Sequence, residues 1–289
     1  MNRPAVFMVL GSCASLQVGA ALAAGLFPVA GSSGATALRL GLAAIILVLL
    51  ARPALRTWTG GQWRAAALLG LAMAGMNSFF YAAIARIPLG PAVTIEFLGP
   101  LVLAAVLSRR LRDIAWVLLA GLGVAILGFG DGATALDPLG VLFVLVAAAF
   151  WALYILAGKR AGAAIPGLGG LAVALSVAAL AVLPFGITGA AKVVVSPHLL
   201  LVAVGTAVLA SVIPYSLELS ALRRLPHGVF SILLSLEPAV AAIAGWLLLS
   251  QALSWTTALA IVVVILASIG STTTAPAPAA EDAVSITTG

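Results

Sequence analysis

The sequence predicts an all-α polytopic membrane protein whose ten transmembrane helices form a 5+5 inverted repeat. Three observations carry that prediction. The first is composition: of 289 residues, 63% are hydrophobic and 8% are charged, with a mean hydropathy of +1.25, too little polar surface for a water-soluble globule. The second is that the apolar residues fall into runs close to the ~20 needed to cross a bilayer as a helix. The third is that one stretch of the chain returns 138 residues later, Ile87-Pro88-Leu89-Gly90 with Pro100 as Leu225-Pro226-His227-Gly228 with Pro238. No run alternates apolar and polar positions as the strands of a membrane barrel do, so the spans are helical.

The spans are expected near 5–25, 35–51, 65–85, 88–108, 113–130, 138–157, 166–186, 198–220, 226–249 and 253–271. The first is interrupted by Ser12, Ser15 and Gln17 and carries a stripe of small residues, Gly11, Ser15, Gly19 and Ala23. A cleavable signal peptide is the other reading of that run, with Arg3 ahead of it and Ala21-Leu22-Ala23 as a processing site. Its removal would take away the first helix of a repeat unit, so the mature-helix reading is preferred. Cys13, the only cysteine, can form no intramolecular disulfide and reads as a small packing residue. The second span holds Arg39. The third has its own small stripe, Ala66, Gly70, Ala74 and Ser78, of the kind that lets helices approach closely in lipid. Gly99-Pro100 interrupts the fourth span and Glu237-Pro238 the ninth, and each proline removes a backbone hydrogen bond and frees a carbonyl. The residues from Thr272 onward, rich in Thr, Ala and Pro, read as a disordered cytoplasmic tail. The domains are therefore 1–135, the first five-helix repeat, 136–271, the second, and 272–289, the tail.

With the N-terminus in the cytoplasm, eleven of the fourteen basic residues gather on that side: Arg3, Arg52, Arg56, Arg64, Arg109, Arg110, Arg112, Lys159, Arg160, Arg223 and Arg224. The other side holds Arg86 and Lys192 with the acidic turn of Asp131 and Asp137. The positive-inside rule then places both termini in the cytoplasm. Basic residues scattered over short loops need no nucleic acid to explain them.

The offset of 138 pairs Pro88 with Pro226, Gly90 with Gly228, Leu98 with Leu236, Pro100 with Pro238 and Ala104 with Ala242, and sets Asn77 opposite Tyr215. Five spans per half is an odd number, so the second copy enters the membrane from the other side. Inverted repeats of this kind serve secondary transporters, whose halves exchange conformations and expose one central site alternately to either side. The acids break the symmetry, because Glu237 aligns with Gly99 and not with Glu96.

Four charged residues lie inside spans: Arg39, Glu96, Glu218 and Glu237. A charge at the bilayer centre costs about 2.5–3.5 kcal/mol even on insertion scales, so these side chains should face the interior and serve function. At about 1.5 Å per residue Glu96 lies roughly 12 Å below the outer surface and Glu237 roughly 16 Å above the inner one, close enough to line one cavity. Such acids suit the uptake and release of protons, with Glu96 the preferred proton-coupling residue and Glu237 the second. Glu218, five residues from Arg223, serves either a salt bridge at the helix end or transport. Arg39 either pairs with a glutamate, the preferred reading, or holds a substrate carboxylate. Gln17, Asn77, Tyr81, Trp151, Tyr154, Tyr215 and Ser216 supply side-chain donors at related depths, enough to bind a zwitterion.

Seven motifs resemble the threonine/homoserine exporter branch of the drug/metabolite transporter superfamily, the EamA-type carriers. They are Thr36-Ala37-Leu38-Arg39-Leu40, Gly75-Met76-Asn77, Glu96-Phe97 with Gly99-Pro100-Leu101, Trp151-Ala152 with Tyr154-Ile155-Leu156, Arg160-Ala161-Gly162-Ala163, Pro214-Tyr215-Ser216-Leu217-Glu218 and Glu237-Pro238-Ala239. The resemblance runs from about residue 7 to 271. It implies a ten-helix inner-membrane exporter of small amino acids working by proton exchange, and leaves the substrate among amino acids, other metabolites and drugs.

The expected function is therefore secondary-active export of a small, threonine- or homoserine-like amino acid by proton antiport and alternating access. The partners are that substrate, protons and the lipid bilayer, with no cofactor, no metal and no enzymatic activity. An intramembrane protease is disfavoured: Gly128-Phe129-Gly130-Asp131 has no second aspartate in any span to pair with. His198 and His227 have no metal-ligand spacing, and no phosphate-binding Gly-x-x-x-x-Gly-Lys-Ser/Thr loop occurs, so energy comes from a gradient. The alternatives are an exporter of another metabolite or drug, or a passive channel.

Overall fold

The computed structural model describes residues 3–108, 110–128, 136–222, 224–225 and 227–274. Arg109, Phe129, Gly130, Asp131, Arg223, Pro226 and the tail beyond Thr274 lie outside these residues. Among those described, the chain is helical throughout apart from short connections, and no strand occurs.

In the first half, α1 (Arg3–Ala24), α2 (Phe27–Ala51) and α3 (Gly60–Ile84) are single spans. The fourth span is two pieces, α4 (Leu89–Glu96) and α5 (Leu98–Ser108), and α6 (Leu111–Gly128) is the fifth. In the second half, α7 (Pro138–Ala164) and α8 (Gly169–Val194) are continuous. The eighth span is α9 (Pro197–Ala207), a π-helical turn at Val208–Val212 and α10 (Ile213–Leu222). The ninth is α11 (His227–Leu234) with α12 (Glu237–Leu249), and α13 (Trp255–Thr274) is the tenth. Nine of these stretches are long and apolar enough to cross a membrane, counted among the described residues. The other, α6, is an 18-residue helix.

Where element ends differ from expectation, local chemistry explains them. The second span starts at Phe27, with a kink at Gly31, whose backbone at φ 68° and ψ 170° leaves the helical region in a conformation open to glycine, and the helix resumes beyond it. The third starts at Gly60 because Thr59 closes a capping box with Gln62, which outweighs the two loop-favouring glycines between them. The sixth continues past Gly158-Lys159-Arg160 to Ala164, since long basic side chains at a helix end reach the interface without ending the helix. The seventh runs through Pro184 to Val194. The tenth runs to Thr274, three residues into the expected tail; Trp116 Nε1 donates to Thr274 Oγ1 at 3.0 Å, and Arg112 Nη2 donates to the Thr274 carbonyl.

The two broken spans follow from their prolines. Pro100 has no N–H for the carbonyl of Glu96, and Pro238 has none for that of Leu234; α4 ends at Glu96 and α11 at Leu234. Both half-helices are eight residues long. Gly99 lets the break at Phe97 lie against α7, because a Cβ there would stand 2.1 Å from the Ala148 carbonyl oxygen.

Packing is mostly between the halves. α2 lies along α8, α3 along α7 and α8, and α6 along α13, while α1 lies against α10 and α12, α4 against α12 and α5 against α7. Without a hydrophobic drive between helices in lipid, these contacts rest on close packing of small residues, and Ala66, Ala72, Ala74, Ala172, Ala174 and Ala178 are accordingly buried. At the end of the bundle away from the N-terminus, Arg86 Nη1 bonds Asp137 Oδ2 at 2.9 Å, and the Leu89 N–H donates to Gln251 Oε1 at 2.9 Å. The Arg86 hydrogen bond, helped by the Leu139 N–H, holds the Asp137 carboxyl below its ordinary range.

Candidate functional site

A cavity of about 510 Å³ lies among these helices. Its wall includes Gln17, Arg39, Asn77, Glu96, Trp151, Tyr154, Tyr215, Glu218 and Glu237, nine of the eleven residues expected to form the site. Short connections make neighbouring spans antiparallel. Lining residues lie within four residues of helix ends on both sides of the bundle, Ala104, Glu218, Phe230, Ser271 and Thr272 on the N-terminal side and Ala20, Phe80 and Val93 on the other. The cavity therefore occupies the middle of the bundle.

Arg39, 4% exposed, is held from α3. Nη1 donates to Tyr81 Oη at 3.1 Å, Nη2 donates to Asn77 Oδ1, and the guanidinium lies 4.9 Å from the Tyr81 ring centre. Asn77 and Tyr81 are one turn apart and so present one face; Asn77 is fixed by its own Nδ2–H to the Met73 carbonyl, 2.7 Å. The expected pairing of Arg39 with a glutamate is thus corrected: among the described residues no carboxylate lies within ion-pair distance of it, and its Nε–H is buried without a partner. Two of its five N–H donors are occupied, which leaves a donor edge for a planar anion.

The three acids differ in what holds them. Glu237, the first residue of α12, accepts from Gln17 Nε2 at 2.9 Å. Glu218 accepts from Ser12 Oγ at 2.6 Å, a partner on α1; the expected partner, Arg223, lies outside the described residues. Glu96, the last residue of α4 and 8% exposed, makes no side-chain hydrogen bond to any described residue. The carbonyls at the end of α4 add partial negative charge beside its carboxyl, so this corner suits a cation.

Trp151 meets Phe97, the residue at the break, edge to face at 5.0 Å and 89°. It forms an aromatic wall beside Glu96, away from the lipid boundary. Two expected residues stand elsewhere. Tyr81 is fully buried behind Arg39 and orients it without lining the cavity. Ser216 is outside the wall, and its hydroxyl bonds the Val212 carbonyl of its own helix at 2.7 Å. The cavity also includes Ser231, Ser268, Ser271 and Thr272, which the sequence analysis did not single out. Positions 268, 271 and 272 share one helical face, a spacing that marks a polar stripe on an otherwise apolar span.

Helices broken by proline around a cavity that carries both signs of charge define a membrane transporter. Residues 138–273 match the EamA-like transporter family. Two proteins named threonine/homoserine exporter RhtA are similar over 270 residues, that of Salmonella typhimurium strain LT2 at 41% identity and that of Escherichia coli strain K12 at 40%, each covering 93% of this chain and 91% of the relative. A solved crystal structure shares the fold with a TM-score of 0.63 at 17% identity, over 94% of this chain and 98% of its own. This chain belongs to the EamA-like transporter family and is a multi-pass membrane protein.

Proposed function

We propose that the protein exports small amino acids of the threonine/homoserine kind across the cell inner membrane, by proton antiport and alternating access between residues 1–135 and 136–271. The observation that carries this reading is the separation of charge in the cavity: among the described residues, a buried guanidinium with no carboxylate within ion-pair distance, and a carboxylate, Glu96, with no hydrogen-bond partner. That arrangement complements a zwitterion, its carboxylate on the Arg39 donor edge and its ammonium at Glu96. The names of the relatives, at 40% and 41% identity, support the amino-acid class.

Two structural features support the repeat. α4 and α11 start 138 residues apart and are equally long. Contacts between spans also exchange when each span is replaced by the one five further on: the third with the sixth becomes the eighth with the first, and the fourth with the sixth becomes the ninth with the first. With both termini cytoplasmic, as the basic residues favour, substrate is loaded from the N-terminal side of the bundle.

In the cycle, homoserine enters from the cytoplasm and its ammonium binds Glu96; after the halves rock, a proton from outside displaces it, so the inward proton gradient drives outward transport. Tyr81 and Asn77 keep Arg39 in place, Trp151 and Phe97 close the apolar side, and Glu237 is the second proton-coupling acid. Counterflow in proteoliposomes tests the class: excess internal homoserine should drive saturable uptake of labelled homoserine. Unsaturable flux would mean a channel; no uptake with homoserine or threonine, but uptake with another metabolite, would move the substrate.

A further inference from the structure

Gln17 lies in the cavity wall, 2% exposed, and its two amide atoms are treated differently. Nε2 donates to Glu237 Oε1 at 2.9 Å, whereas Oε1 is buried and accepts nothing. Leaving a buried acceptor bare is costly, so the orientation of the amide is set by what its other end needs. An ionised carboxylate is acceptor-only and demands the N–H; a neutral carboxylic acid carries an O–H and is better met by the amide oxygen.

We propose that Gln17 reports the protonation of Glu237 to the substrate by inverting its amide. With Glu237 ionised, Gln17 keeps Oε1 free of protein partners, an acceptor for the ammonium of an amino acid that enters the cavity. When a proton from the external water settles on Glu237, a half-turn about the Cγ–Cδ bond brings Oε1 to the new O–H and presents Nε2–H to the cavity, a donor that opposes the ammonium. No covalent bond of Gln17 changes; the proton stays on Glu237 until it is released to the cytoplasm. Gln17 is thus a positioning residue that links proton and substrate sites. The inference rests on the export reading above and adds to it the means of coupling.

The titratable groups around Glu237 are Cys13 from α1, Glu96 from α4 and Glu218 from α10, all close enough to interact with it electrostatically. α13, which also packs on α12, brings none. Glu218 has its own partner in Ser12, and no described residue other than Glu237 hydrogen-bonds the Gln17 side chain.

The chain offers a direct probe because it has three glutamines, Gln17, Gln62 and Gln251. The side-chain oxygen of Gln62 accepts from the Thr59 N–H and that of Gln251 from the Leu89 N–H, both at 2.9 Å; only the Gln17 oxygen is bare. In reconstituted protein whose glutamine side-chain carbonyls carry carbon-13, infrared spectroscopy should resolve one high-frequency band from Gln17. Acidification should move it to lower frequency as a carboxylic-acid band grows. The shift should vanish in Glu237→Gln, and the band itself in Gln17→Met. In parallel, homoserine binding by calorimetry should weaken at least about fivefold from neutral to mildly acid pH in the unmodified protein, and by a smaller factor in Gln17→Met, where only the competition at Glu96 is left. A carboxyl that titrates while the Gln17 band stays fixed overturns the proposal, and so does unchanged pH dependence in Gln17→Met. The infrared arm needs no substrate, so it still decides the amide inversion if Gln17→Met misfolds. If homoserine fails to bind the unmodified protein while the band shifts, the export reading falls and the inversion stands.

Discussion

The fourth and ninth spans break in the same way and carry different chemistry. In each, an eight-residue half-helix ends four residues before a proline that cannot complete its last hydrogen bond. The acids then fall on opposite sides of the break: Glu96 closes α4, at the negative end of a half-helix, and Glu237 opens α12, at the positive end of one. Glu237 is tied to Gln17, and Glu96 is bound to nothing among the described residues. Backbone interruption and side-chain function are therefore separable: prolines place two matching breaks in the bundle, and which neighbour carries the acid decides what each break does.

Breaking the comparison at its backbone should have the largest effect. Gly99→Val drives a side chain into the Ala148 carbonyl, which should cost about 1–3 kcal/mol and lower the melting temperature of detergent-purified protein; unchanged melting would mean that the fourth-span break does not rely on contact with α7. Arg39→Lys keeps the charge but loses the forked donor edge, so homoserine should bind roughly 10- to 100-fold more weakly, ~1.4–2.7 kcal/mol by calorimetry, and equal affinity would remove Arg39 from the site.

Asp137→Asn sharpens the comparison from outside the cavity. Arg86 holds the Asp137 carboxyl below its ordinary value, so the tie is complete above the ordinary carboxylate range and is lost only as pH falls through that lowered value. The pH response of transport near neutrality must then come from elsewhere. The variant should change the transport rate by about two- to fivefold and leave the shape of the pH profile intact; a displaced profile would put Asp137 in the coupling path. The smallest effect belongs to Ser216→Ala, less than about twofold in homoserine affinity, because that hydroxyl already bonds Val212.

Much of this was legible in the sequence. Ten spans followed from apolar length, and the two breaks from Pro100 and Pro238. Nine of the site residues were visible as polar or charged groups in apolar runs, because lipid makes such groups costly unless they face inward. Two kinds of information were not. Arg39 read by preference as the partner of a glutamate, because a residue type does not say that Asn77 and Tyr81 will occupy its near donors. Thr272 read as the start of the tail, and Ser268 and Ser271 were not distinguished, because small hydroxylated side chains serve close helix contact and ligand binding alike.

The unlike state of the two acids is tested most directly by gradient-driven efflux of labelled homoserine and threonine from proteoliposomes, comparing the unmodified protein with Glu96→Gln and Glu237→Gln. The account predicts that an inward proton gradient accelerates efflux, that Glu96→Gln abolishes gradient-driven flux by removing the shared ammonium and proton site, and that Glu237→Gln retains substrate exchange with its pH response blunted. Gradient-driven efflux at the unmodified rate in Glu96→Gln would contradict it.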